Sequence, residues 1–138
     1  FLLPPLLIKD IDRLRLLTKT LNISTLCCYL IYIIWPVDCT LLFSDITANP
    51  LFFMHNIVLL EYLHQNAFPS MHVMVSSLIG LVLLRENKKY RVLSYILIIG
   101  VFFATFLIKQ HFILDSIFGL MLALLMYKFC YLTFKRIV

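Results

Sequence analysis

Charge and chain-breaking residues are both scarce in this sequence. Only 14% of its 138 residues are Asp, Glu, Lys or Arg, and three glycines (Gly80, Gly100, Gly119) and five prolines interrupt it. With 62% hydrophobic residues and a mean hydropathy of +0.98, these shortages exclude an ordinary soluble domain and leave an integral membrane protein. No polar domain carries a basic stripe with interleaved aromatics, so the formal charge of +5 does not signify a nucleic-acid partner. The cysteines Cys27, Cys28, Cys39 and Cys130 lack CxxC spacing and read as small buried hydrophobes. The opening FLLPPLLI has neither a basic leader nor a small-residue cleavage site, which argues against a cleaved signal peptide. It reads as the tail of a helix whose start is missing, so an N-terminally truncated chain is expected.

What is present is a series of apolar runs separated by basic turns. Residues 9–20 are charged and amphipathic and are expected to form a cytoplasmic connection. LNISTLCCYLIYIIWP (21–36) is the first complete span, with Tyr32 and Trp35 as interfacial anchors. The Asn22-Ile23-Ser24 sequon falls at the inner end of that span and reads as chance. An outer loop over 37–68 holds LFFMHNIVLLEYLH (51–64), a helix too short to span that is expected at the interface. Core helices are expected over 69–84, 92–109 and 111–131, with Ser76 and Gly80, and Gly119 and Ala123, as small faces for close packing. All 138 residues form one membrane-embedded domain in this reading. The expected fold is all-α, a polytopic transmembrane helical bundle.

Counting sides sharpens the picture. With basic turns inside, eleven of the twelve Lys and Arg residues are cytoplasmic and Lys109 alone is outside. His55, His64, His72 and His111 all fall on the outer side, and ionisable residues near hydrocarbon are costly enough to suggest function. His111 and Asp115 are four apart and share a helix face. A carboxylate so placed can accept one imidazole N–H, leaving the other nitrogen to act as nucleophile or base. His72 lies in the first turn of the helix opened by Pro69-Ser70. Such a helix start offers unpaired N–H groups and a partial positive charge to a phosphate. A divalent metal on His111, Asp115 and a further histidine is the competing reading, but it leaves Lys109 repelled and unexplained. Isolated interfacial histidines such as His55 and His64 are usually just solvated, and Asp38, Asp45 and Glu61 read as surface residues of the outer loop.

The segments NAFPSMH (66–72) and KQHFILDSIFG (109–119) resemble the second and third motifs of the type 2 phosphatidic acid phosphatase (PAP2) superfamily, P-S-x-H and S-R-x5-H-x3-D. They are most similar to a bacterial and fungal branch with NAFPSLH-type and KQHY-type segments, which includes relatives of inositol phosphorylceramide synthases. The resemblance spans most of residues 1–125. It implies that His111 attacks phosphorus to form a phosphohistidine and that Asp115 orients it. His72 would protonate the leaving alkoxide and then activate water or an acceptor hydroxyl. Ser70, the amides after it and Lys109 would hold phosphate oxygens, and no metal or cofactor is implied.

Two departures stand out. Thr105, preceded by Ala104, occupies the place of the third motif's arginine, and Lys109 is the charge that replaces it. The first motif, K-x6-R-P, is absent, with Asn49-Pro50 where Arg-Pro is expected and Leu42 in place of its lysine. The expected activity is therefore a membrane phosphatase or phosphotransferase acting on a lipid-linked phosphate at the outer face of a bacterial inner membrane, with membrane lipids as its other partners. The alternative is a catalytically degenerate relative that binds phospholipid headgroups without turnover.

Overall fold

The computed structural model describes residues 3–37, 68–86, 88–107 and 112–133. Helix α1 (Leu3–Leu7) leads into α2 (Ile11–Ile34), and the next described helix is α3 (Met71–Glu86). A 3₁₀ turn at Lys88–Tyr90 joins α3 to a continuous rod made of α4 (Arg91–Tyr95), a π-helical segment (Ile96–Gly100) and α5 (Val101–Leu107). Helix α6 (Ile113–Met126) continues through a second π-helical segment, Tyr127–Tyr131. No strand occurs among the described residues.

One expectation is corrected at the start of the chain. Residues 9–20 are not a connection preceding the first span: α2 begins at Ile11 and is unbroken for 24 residues. The Asp10 side chain accepts hydrogen bonds from the Asp12 and Arg13 amides, capping a segment rich in good helix formers. At 1.5 Å per residue this helix is about 36 Å long, against about 30 Å of bilayer hydrocarbon. Among the described residues, Ile11–Ile34 and Ile113–Tyr131 are the two helices long and apolar enough to cross a membrane.

The distribution of side chains is that of a membrane fold. Helix α2 turns Thr20, Ser24, Cys28 and Tyr32 inward and leaves Leu26, Tyr29, Leu30, Ile33 and Ile34 exposed. Helix α6 buries Asp115, Ser116, Gly119 and Ala123 and exposes Ile113, Leu114, Ile117, Phe118, Met121, Leu124 and Leu125. Small and polar groups inside with large apolar groups outside is favourable only where the surroundings are themselves apolar. The inward hydroxyls are satisfied within their own helix: Thr20 donates to Leu16 O at 2.9 Å and Ser24 to Thr20 O at 2.7 Å. Ser24 is fully buried, in keeping with a chance sequon.

Helix α3 is the centre of the bundle. Val73, Met74, Leu78, Ile79, Val82 and Leu83 are buried around it, and it packs against α2, the α4–α5 rod and α6. Glycine brings the α4–α5 rod close. A Cβ on Gly80 would lie 2.7 Å from Ile98 Cγ1 and 3.0 Å from the Ser94 carbonyl oxygen. The end of the bundle opposite Ser70 is tied by charge. Glu86 pairs with Arg13 of α2 and accepts a hydrogen bond from the fully buried Tyr131 at 3.2 Å, so three helices converge on one carboxylate.

Candidate active site

The candidate residues converge where the chain enters α3. Phe68 and Pro69, joined by a cis peptide bond, lead into Ser70, which is fully buried. Ser70 Oγ accepts from the Val73 amide at 3.5 Å and its carbonyl oxygen from the Met74 amide at 3.0 Å. That is the helix-start role expected of a serine at this position. Its own N–H is committed elsewhere: it donates to the Asp115 carbonyl oxygen at 3.0 Å. The two motif segments, 45 positions apart in sequence from Ser70 to Asp115, are thus joined main chain to main chain.

Three further contacts hold that junction. Tyr32 of α2 donates its hydroxyl to the Pro69 carbonyl oxygen at 2.8 Å. The Phe68 ring meets Phe118 of α6 edge-on, with centroids 4.8 Å apart. Gly119 lies directly beneath Ser70, where a Cβ would come within 2.5 Å of the Ser70 carbonyl oxygen and 3.3 Å of Val73 Cβ. Sequence reasoning gave Gly119 a packing role but did not connect it to Ser70, and it assigned Tyr32 to the membrane interface. Trp35 is exposed as an interfacial anchor would be, at 68%, whereas Tyr32 is 9% exposed and bonded inside the bundle. Position 32 lies on the same stripe as Thr20, Ser24 and Cys28, four residues apart, and that period was the one available signal.

Asp115 is 4% exposed. Its Oδ2 accepts the Phe112 amide at 2.9 Å, and its own amide donates to the Phe112 carbonyl oxygen at 3.0 Å. The carboxylate therefore fixes the first turn of α6 and places a negative charge at that helix start, where it is favourable. His72, in the first turn of α3, is exposed and lines a groove of about 300 Å³ with Met71, Val75, Ser76, Ile79, Leu97 and Val101. His111 and Lys109 lie outside the described residues, as do His55, His64, Asp38, Asp45, Glu61, Leu42 and Asn49-Pro50. Among the described residues, the structure brings Ser70 and Asp115 together, with His72 two residues beyond Ser70 in the first turn of α3.

Thr105, at the place of the motif arginine, is turned into the interface between helices. It is buried, donates to Phe102 O at 3.0 Å and shares a 3.2 Å hydrogen bond with Ser116 Oγ of α6. The position has become a neutral hydroxyl tie between α5 and α6 beside Asp115. Among the described residues no group of three His, Cys, Asp or Glu side chains is arranged to hold a metal ion.

The model of the PAP2 superfamily matches residues 2–129. The chain belongs to the PAP2 superfamily. Its all-α membrane fold is the one this membership carries, and the superfamily generally comprises phosphatases, so the coarse assignment is a phosphatase-type membrane enzyme. Comparison with curated proteins and with solved structures gives no match.

Proposed function

We propose that this PAP2-superfamily protein is a lipid phosphate phosphatase or phosphotransferase that works through a phosphohistidine on His111. The observation that carries the reading is the Ser70 N–H to Asp115 carbonyl bond. It sets the start of the helix bearing His72 against the start of the helix that follows His111. In the first step the His111 imidazole attacks phosphorus, a P–N bond forms, and the bond from phosphorus to the lipid oxygen breaks as His72 delivers its proton to that oxygen. In the second, the now neutral His72 takes a proton from water or an acceptor hydroxyl, whose oxygen attacks phosphorus and releases His111. Asp115, with one oxygen held by the Phe112 amide, has in this reading the role of orienting the His111 imidazole. A phosphate monoester carries about −1.5 to −2 charge at pH 7. Lys109, protonated His72 and the α3 helix start offset it, with Ser70 holding the segment that presents those amides.

In this reading the site belongs on the extracytoplasmic face of the membrane, because the basic turns gather at the other end of the helices. The family branch with KQH-x3-D segments is the one whose pattern the chain keeps. Purified protein in detergent is expected to release phosphate from a long-chain alkyl phosphate, and His111→Ala to abolish release and the acid-labile phosphoenzyme together. Full activity in His111→Ala would falsify the assignment.

A second reading is favoured by one observation, the burial of Thr105 where an arginine would enter the site. A degenerate relative would bind phosphate at this place and turn nothing over. Inorganic phosphate shifting the His72 ring resonances, with no hydrolysis of any alkyl phosphate, would select it.

A further inference from the structure

Thr105 stands at the motif arginine's place with its hydroxyl turned into a helix interface. It is buried, and its partner Ser116 is fully buried. A threonine hydroxyl has one proton to give, and that of Thr105 goes to the Phe102 carbonyl oxygen at 3.0 Å. The 3.2 Å bond between Thr105 Oγ1 and Ser116 Oγ is therefore donated by Ser116. Thr105 accepts from α6 and donates within α5 at once, so a directed pair of hydrogen bonds joins the first turn of α6 to the α5 main chain.

The place of that pair gives it more than a packing role. Ser116 follows Asp115, whose carbonyl oxygen accepts the Ser70 N–H at 3.0 Å. Two consecutive residues of α6 are thus held by two different elements, Asp115 by the entry to α3 and Ser116 by α5. In the same turn the Asp115 carboxylate accepts the Phe112 amide at 2.9 Å. A slide or roll of α6 against α5 would move Ser116 and Asp115 together, because they share one helical turn. The bond also ties two residues 11 positions apart, between which the sequence carries Lys109 and His111.

An arginine at position 105 could not make this tie. A guanidinium has no acceptor atom, so the buried Ser116 hydroxyl would lose its partner, and a cation would enter a packed helix interface. Paired with Asp115 instead, it would compete with the Phe112 amide for that carboxylate.

We propose that Thr105 is a positioning residue for the phosphate chemistry, holding the first turn of α6, and with it Asp115, by accepting the Ser116 hydroxyl. The inference rests on the functional reading above and deepens it. It also inverts what the motif alone implies: restoring the arginine is expected to damage the site, not to complete it.

The test compares Thr105→Val, Ser116→Ala, their double variant, Thr105→Ser and Thr105→Arg with the wild-type protein in one detergent. Phosphate release from a long-chain alkyl phosphate, orthovanadate affinity and thermal unfolding are measured on each. Thr105→Val and Ser116→Ala are each expected to lower kcat about tenfold with KM little changed, as loss of alignment in the transition state does. Stability separates positioning from packing. Thr105→Val leaves the buried Ser116 hydroxyl without its acceptor, whereas the double variant removes both groups, so its unfolding temperature should return toward the wild-type value. Its kcat should stay low. Thr105→Ser keeps the hydroxyl and should keep wild-type kcat, while Thr105→Arg should fall below Thr105→Val. Thr105→Val, close in shape to threonine, keeps the test decisive should Thr105→Arg not fold. Wild-type kcat in Thr105→Val and in the double variant, or a raised kcat in Thr105→Arg, overturns the proposal and leaves the phosphatase reading intact. A kcat that recovers with stability in the double variant overturns it as well, leaving a tie for packing alone. Should the wild-type protein bind orthovanadate without turnover, the same order of variants in vanadate affinity upholds the role of Thr105 and removes the catalytic reading, whereas equal affinities overturn the proposal. A wild-type protein inert in both assays removes the functional reading and this role with it.

Discussion

Replacing Gly119 by alanine tests the junction on which the site is built. An added Cβ would lie 2.5 Å from the Ser70 carbonyl oxygen, whereas ordinary contact begins near 3.4 Å, so the two segments must part by about 0.9 Å. The obstructing atom is backbone, not the tip of a flexible side chain, and Val73 Cβ at 3.3 Å blocks sideways relief. Overpacking of this kind costs about 1–3 kcal/mol. A misplacement near 1 Å in a reacting constellation costs on the order of 10²-fold in rate. The expected result is therefore a folded protein with modestly lowered thermal stability and about 10²-fold lower kcat on a long-chain alkyl phosphate. Gly100→Ala is the matched control. Its nearest neighbour would be Ile96 Cγ2 at 3.6 Å, and removing a helical glycine is worth about 0.5–1 kcal/mol in the stabilising direction. Phosphate release and thermal unfolding of both variants in the same detergent separate the cases. Wild-type kcat in Gly119→Ala would show that the Ser70–Asp115 junction does not set the catalytic geometry.

Tyr32→Phe keeps the ring but leaves the buried Pro69 carbonyl without its donor, at a cost of about 1–3 kcal/mol. Because the α3 entry is then less firmly held, kcat is expected to fall several-fold with little change in KM, and an unaltered kcat would remove Tyr32 from the positioning set. Glu86→Ala acts at the opposite end of the bundle. With the Arg13 side chain 42% exposed, that ion pair contributes about 1 kcal/mol or less, and the lost Tyr131 hydrogen bond a similar amount. Thermal stability should fall by that sum while kcat per folded molecule stays constant, and a kcat that falls with it would mean that the two ends are coupled.

Composition and residue order determined the class of this protein without any coordinates. So few charges and helix breakers leave room only for apolar helices, and the Pro69-Ser70 pair marks the start of α3 because proline and serine satisfy a helix start locally. The motif residues stand out as candidates for a similar reason: each depends on spacing within one segment. Where local cues competed, the sequence misled. The charges of residues 9–19 suggested a break, yet Asp10 caps a helix that runs straight through them, since long basic side chains at a helix end can reach polar surroundings without unwinding it. Packing alone decided the rest. That Tyr32 meets the Pro69 carbonyl, that Gly119 admits the Ser70 carbonyl and that Thr105 bonds Ser116 are contacts between distant segments. No periodicity within one helix specifies which neighbour it meets or how closely. The π-helical segments were likewise invisible, because one inserted turn residue leaves the apolar composition unchanged while moving the wall on which Leu97 stands.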